Sequence, residues 1–270
     1  MSATISASVV NELRAKTGQG MMECKKMLVE TGGDMEKAVA EFRKKGVKAS
    51  ITERATSEGR AMVGTSPDHK TAAAVSVHCN TDFTAKSDPV AKILEKAVAK
   101  LLKNPSANLM EDAEIKAALT VVAQTTGENV QLGKAVAVNN PGGTTGAYIY
   151  SITNKIAVLL SLNGKADDEL IKSLGGHVAF SKPLGMTRDA VDPTLVAKER
   201  DIAVEAAKAT GKPQQIAEKI AEGKLNSFFA ERVLLDQEFF NASAFKGSVS
   251  AMLKAAGAEL VKYELVEVGK

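Results

Sequence analysis

Apolar residues recur at helical spacing three times within the first 46 positions. Val9, Val10 and Leu13 form the first stripe, with Ser6 or Ser8 as N-cap and Gly18 as the stop. Met21, Cys24, Met27 and Leu28 form the second, over about Met21 to Glu30, closed by Gly32-Gly33. Asp34 caps the third, in which Met35, Ala38, Val39 and Phe42 recur at i, i+3, i+4 and i+7 before Gly46. Connections of two to four residues force these helices into a compact bundle. A core of about 50 residues is marginal alone, so the bundle is expected to lean on a partner or on the rest of the chain.

Residues 47–60 lack apolar periodicity and read as a linker, after which the period changes to two. Ala61–Thr65 and Thr71–His78 flank Ser66-Pro67-Asp68, which predicts a hairpin. Helices are expected at about Pro89–Leu102 and Glu111–Thr125, separated by Asn104-Pro105. Val130–Val138, Thr144–Ile152 and Ile156–Leu162 alternate with the turns Asn140-Pro141-Gly142-Gly143 and Thr153-Asn154, which predicts a three-stranded antiparallel meander. A helix from Asp167-Asp168 to about Ser181 is stopped by Lys182-Pro183.

Residues 194–229 carry no strand signal. Leu195, Ile202 and Ala209 repeat at seven, Gly211-Lys212-Pro213 breaks the helix, and Ile216, Ile220 and Leu225 mark a second. Two helices joined by so tight a corner should lie antiparallel, as a hairpin with little core of its own. Lys246–Ala256 is a helix ended by Gly257, and Glu259–Val268 alternates as a final strand expected to join one of the sheets.

Composition narrows the function classes. In 270 residues, 35 Lys and Arg balance 32 Asp and Glu, for a net charge of +3 with no dense basic segment. That disfavours direct nucleic-acid binding, and 4% aromatic content with no Trp disfavours a base-stacking platform. Two cysteines, Cys24 and Cys79, and three histidines are too few for a disulfide framework or a four-ligand zinc site. No apolar run approaches membrane-spanning length, and the start has no leader pattern. A cytoplasmic protein without a cofactor or metal is the expectation.

Phosphate loops and nucleophile elbows are absent. Gly142-Gly143 reads as a hairpin turn supplying positive φ, and Asp167-Asp168-Glu169 as the acidic start of a helix. His78-Cys79 is a poor base–nucleophile pair, because adjacent strand residues point to opposite faces and the imidazole does not readily reach its neighbour's sulfur. Cys79 reads as a buried thiol and His177 as a partly buried or capping histidine.

Three stretches resist that bland reading. In Thr17-Gly18-Gln19-Gly20-Met21-Met22, adjacent helical residues diverge by about 100°, so either one methionine faces out as a docking surface or both wrap the core's edge. In Cys79-Asn80-Thr81-Asp82-Phe83-Thr84-Ala85-Lys86, between a strand and a helix, Asp82 is either an N-cap with Phe83 tucked beneath it, or Phe83 is an exposed wedge beside a charge. Thr126-Gly127-Glu128-Asn129 ends a helix, with Gly127 as its C′ residue.

These stretches carry a resemblance to the bacterial elongation factor Ts family. Leu13-Arg14-Ala15-Lys16-Thr17-Gly18-Gln19-Gly20-Met21-Met22-Glu23-Cys24-Lys25-Lys26 is similar to the family's first signature, and Thr81-Asp82-Phe83 with Ala85-Lys86 to its second. The likeness continues collinearly through Gly127-Glu128-Asn129, His177-Val178-Ala179, Ser181-Lys182-Pro183 and Gly211-Lys212-Pro213. Departures are Ser76 and His78 where Glu and Asn are common, Thr84 for Val, and Tyr150 where a histidine is common.

The resemblance implies a multidomain α+β protein. Residues 1–54 would be a three-helix ubiquitin-associated (UBA)-like module with its linker, 55–140 and 141–270 two subdomains of antiparallel sheet plus helices. An antiparallel coiled-coil hairpin at about 190–229 would interrupt the second. The implied activity is guanine-nucleotide exchange on elongation factor Tu, in its GDP-bound and nucleotide-free states, during polypeptide elongation. Leu13, Arg14, Met21 and Met22 would meet the partner from the N-terminal module. Thr81, Asp82, Phe83 and Thr84 would act near its Mg²⁺ and phosphates, and Thr126, Gly127 and Tyr150 would add core contacts. No enzyme chemistry, nucleic acid or membrane is implied, and a homodimer of the complex is left open. Two rival readings are a UBA-like adaptor that binds a protein without nucleotide exchange, and an enzyme using Cys79 as nucleophile.

Overall fold

The computed structural model describes residues 5–17, 19–45, 54–211 and 213–269. Among these residues the chain forms ten α-helices and two three-stranded antiparallel sheets. Gly18, Gly46, Lys212 and residues 47–53, the first half of the expected linker, lie outside the described residues, and the last three linker residues, 58–60, belong to the first strand.

The first three helices are α1 (Ala7–Thr17), α2 (Met21–Glu30) and α3 (Met35–Lys45). Val10, Leu13, Cys24, Met27, Leu28, Ala38 and Phe42 make their common core. Asp34 holds the start of α3 by accepting from Lys37 N at 3.0 Å. The bundle meets the rest of the chain at the next long helix pair, where the Gln124 side chain donates to Phe42 O at 3.0 Å.

Strands β1 (Glu58–Thr65) and β2 (Thr71–Cys79) form the expected hairpin. A one-turn helix α4 (Asp82–Ala85) follows, then α5 (Asp88–Lys103), α6 (Ala113–Thr126) and β3 (Gln131–Asn139). β3 returns to pair with β2, giving the order β1-β2-β3. β4 (Thr144–Ile149), β5 (Ile156–Gly164) and the C-terminal β6 (Ala258–Glu267) form the second sheet with β5 central, so the final strand joins a sheet as expected, at its edge. α7 (Asp168–Ser181), the hairpin helices α8 (Pro193–Ala209) and α9 (Gln214–Arg232), and α10 (Val249–Ala256) lie between β5 and β6 in sequence.

The meander is therefore corrected. β3 does not pair with β4, and Asn140–Gly143 is a crossing between sheets. Asn140 N donates to Lys70 O at 2.8 Å and Thr145 N to His69 O at 2.7 Å, so the crossing is tied to the β1–β2 turn. Neither Gly142 nor Gly143 has positive φ. Gly143 is required by close approach, since a Cβ there would lie 2.2 Å from Leu162 O.

Alternation along the central strands explains the layering. Ala73, Val75, Val77 and Cys79 of β2 pack under α5 and α6, with Leu94, Leu101 and Ile115. Val158, Leu160 and Leu162 of β5 pack under α7 and α10. The opposite faces meet each other through Ala61, Ala72, Ala74, Val138, Ala157, Leu159 and Val266. Both central strands are thus buried on both faces, and small residues let the sheets come together.

The hairpin of α8 and α9 has a seam other than the expected one. Ala203, Ala207, Ala217 and Ala221 are buried, whereas Ile202 and Ile216 are about half exposed. Alanines let two isolated helices approach closely and push the larger residues to the flanks. No described helix is long and apolar enough to cross a membrane.

Candidate functional site

One exposed corner and one turn come together where the sheets meet. The corner follows β2, where Thr81 is the N-cap of α4 and its Oγ1 accepts from Thr84 N at 3.3 Å. Asp82 is therefore the first helical residue rather than the cap. Phe83 is 85% exposed, which decides between the two readings of this stretch: it is not tucked under the turn. Thr84 is buried, so in this structure it offers a partner no surface.

Asp82 Oδ2 pairs with Lys86 Nζ at 2.8 Å across one helical turn. The hydrogen bond and charge of Lys86 hold the Asp82 carboxyl below its ordinary range, so it is ionised at neutral pH. Both partners are largely exposed, and such a pair gives way readily to a stronger cation.

The turn between β4 and β5 supplies the other wall. Asp82, Phe83 and Lys86 share a cleft of about 770 Å³ with Ile152, Asn154 and Lys155. Lys155 Nζ pairs with Glu58 at 2.6 Å and Ala61 N donates to Asn154 O at 2.6 Å, so the turn is fastened to β1. Ile152 is 79% exposed. The alternation placed it inside a strand, but β4 ends at Ile149, and the turn frees its side chain.

Tyr150, at the start of the same turn, lines a separate cleft of about 700 Å³ with Tyr148, Phe180 and Phe240. Phe180 and Phe240, both exposed, were missed by sequence reasoning. The signal was available at Phe239-Phe240, where adjacent aromatics cannot both face one core, as at Met21-Met22. Phe239 is the buried member of that pair.

His177 is buried rather than partly buried. Its Nε2 lies 2.9 Å from Gln237 Oε1, and its Nδ1 accepts from Phe240 N at 3.2 Å. The second contact requires a bare Nδ1, so the ring is neutral with its proton on Nε2. Burial lowers its pKa.

Thr126 and Gly127 lie behind the corner after β2. Thr126 is exposed, and Gly127 takes φ 70° as the left-handed C-cap of α6, with its carbonyl accepting from Arg54 at 3.2 Å. Glu128 and Asn129 then reach back. Glu128 Oε2 accepts from Asn80 N and Thr81 N, and Asn129 N donates to Asn80 Oδ1 at 2.8 Å.

In the N-terminal bundle Met21 and Met22 are 50% and 76% exposed, so both face out. Gly20, the N-cap of α2, has no side chain with which to cap that helix. Arg14 is exposed on α1. Leu13 is fully buried and is a core residue of the bundle, without surface for a partner.

Cys79 donates its thiol to Thr81 O at 3.1 Å. Burial first, and the nearby Glu128 charge second, push its pKa up to about 11. A thiol held protonated at neutral pH is a poor nucleophile. Among the described residues no group of three or more His, Cys, Asp or Glu could hold a metal ion.

A family model described as Elongation factor TS matches residues 80–270. Over 99% of its length the chain is 41% identical to elongation factor Ts of Azoarcus sp. (strain BH72), of which it covers 92%. It is similarly 39% identical to elongation factor Ts of Azotobacter vinelandii (strain DJ / ATCC BAA-1303), covering 92% of it. Against elongation factor Ts of Methylococcus capsulatus (strain ATCC 33009 / NCIMB 11132 / Bath) the identity is 36%, with 93% of that protein covered.

Proposed function

The chain belongs to the elongation factor Ts family, and from that premise we propose that it promotes GDP release from elongation factor Tu. Asp82 and Phe83 are the wedge that enters near the partner's Mg²⁺ and phosphates. Met21, Met22 and Arg14 anchor the N-terminal module, and Thr126, Gly127 and Tyr150 add core contacts. The observation that carries the reading is Phe83: a large aromatic side chain, 85% exposed, beside an ionised carboxylate at a braced corner.

Mg²⁺ and oriented backbone N–H groups hold a nucleoside diphosphate mostly by charge. A carboxylate can compete for the metal's shell while an aromatic ring displaces the loop that supplies the N–H groups. Several strong contacts are then lost together. Exchange follows only if the factor binds the nucleotide-free partner better than the GDP-bound one, and the coupling is reciprocal. GDP weakens the factor's hold by the ratio in which the factor weakens GDP's. No bond is made or broken.

In this reading residues 1–54 dock, 55–140 carry the wedge, and 141–270, with the hairpin near 190–229, extend the contact. Release of fluorescent GDP from elongation factor Tu, with and without the protein, tests it. Acceleration at micromolar protein is expected, with Phe83→Ala losing about 2 kcal/mol or more of it. No acceleration by the unmodified chain overturns the function. Normal exchange by both Phe83→Ala and Asp82→Ala overturns the wedge alone.

A further inference from the structure

We propose that Glu128 is a positioning residue for exchange, whose carboxylate sets the direction in which Asp82 and Phe83 are presented. The inference rests on the exchange reading above and adds a residue that the reading does not use.

The corner at Asn80-Thr81 has an accounting problem. The pairing of β2 with β1 ends at Cys79, and the first intrahelical donor of α4 is Ala85, which bonds Thr81 O. The N–H groups of Asn80 and Thr81 therefore fall between ladder and helix, where half-buried donors need another partner. One carboxylate supplies it. Glu128 Oε2 accepts from Asn80 N at 3.2 Å and from Thr81 N at 3.0 Å, while Oε1 accepts from Thr81 Oγ1 at 2.7 Å. Bonds to an ionised acceptor are stronger than neutral ones.

With its hydroxyl hydrogen given to Glu128, Thr81 Oγ1 presents lone pairs to Thr84 N and caps α4. The carboxylate thus orients the cap as well as the backbone. Four residues cannot sustain a helix without outside support. Phe83, with almost no packing of its own, points wherever that single turn directs it.

Glu128 is itself held by the end of α6, and its neighbour Asn129 by the corner that Glu128 serves. The Glu128 N–H donates to Thr126 Oγ1 at 3.2 Å, and the Asn80 side chain accepts from Asn129 N. Each segment bonds the other's backbone, so neither moves alone. Asn80 Nδ2 and Asn129 Nδ2 also donate to Ala55 O and Arg54 O, each at 2.7 Å, tying the chain ahead of β1 into the same cluster.

The test is stopped-flow release of fluorescent GDP from elongation factor Tu over a range of concentrations of the full chain, giving a saturating rate and a half-saturating concentration. Glu128→Ala is expected to lower the saturating rate about tenfold, with half-saturation moved less than about threefold. Glu128→Gln keeps an oxygen for both backbone N–H groups and an amide for Thr81 Oγ1, so most of the rate should return. Adding Glu128→Ala to Phe83→Ala should lower the rate little further, since both act through one ring. Amide exchange at Asn80 and Thr81 in the free protein should quicken about tenfold in Glu128→Ala, a readout that needs no partner. If the unmodified chain accelerates release and Phe83→Ala impairs it, but Glu128→Ala exchanges normally or its loss adds fully to that of Phe83→Ala, the proposal is overturned and the exchange reading stands. Unchanged amide exchange at Asn80 and Thr81 overturns it as well.

Discussion

Phe83 leaves the first sheet and Ile152 leaves the second, yet they line one cleft, exposed by 85% and 79%. Two large apolar side chains from opposite sheets thus flank one opening. Ile152→Ala should raise the half-saturating concentration in the exchange assay about tenfold, leaving the saturating rate and the melting temperature near those of the parent chain. An unchanged half-saturation would remove the second wall from the docking surface.

Leu13 and Met22 separate stability from docking within one signature. Leu13→Ala empties a fully buried site and should destabilise the N-terminal bundle by about 2–4 kcal/mol, seen as early loss of amide protection in α1 to α3. Met22→Ala, at a residue 76% exposed, should leave protection intact and weaken binding by about 1 kcal/mol in calorimetry.

Gly127→Ala tests backbone strain in isolation. A Cβ there meets nothing within 4 Å, but φ of 70° disfavours it. The expected cost is about 1 kcal/mol, read as a lower urea midpoint with unchanged slope. At Gly143 the added Cβ would press on the Leu162 carbonyl instead, and Gly143→Ala should cost several times as much.

His177 should make stability fall on the acid side of neutrality. Its folded pKa lies below the ordinary 6.5 because burial penalises the charge. The unfolded chain then binds more protons as pH falls through 6.5 toward the folded pKa, and stability is lost over that window. His78, also lowered by burial, acts in the same direction. Urea unfolding at pH 7.5 and 5.5 should show the loss, and His177→Phe should reduce its size while lowering stability at both pH values. An equal loss in the two chains would remove His177 as a source.

Signals confined to a few neighbouring residues were legible in the sequence. Asp34 and Asp167 mark helix starts, Lys182-Pro183 marks a stop, and Ser66-Pro67-Asp68 marks the first hairpin. The partner of β3 was not, because Asn140-Pro141-Gly142-Gly143 encodes a change of direction but not the strand that follows it into a ladder. That choice was made by packing across the chain, where β2 needed a second neighbour and β5 found β6.

At the candidate site, the resemblance marked contiguous runs, whereas the fold exposes only part of each. Thr84 goes under the corner while Phe83 stands out, and Leu13 goes into the bundle while Arg14 stays at its surface. Glu128 was legible as part of a helix end. Its grip on Asn80 and Thr81 could not be read, because nothing local says where a carboxylate nearly fifty residues away will fall.

Ala61, Ala72, Ala74 and Ala157 keep the two sheets in close contact, and each sheet carries one side of the cleft. The aperture between Phe83 and Ile152 is therefore gauged by methyl groups that never meet solvent. Bulkier side chains between the sheets would spread the jaws without altering either tooth, so the fit to a partner can be retuned from the interior as well as from the surface.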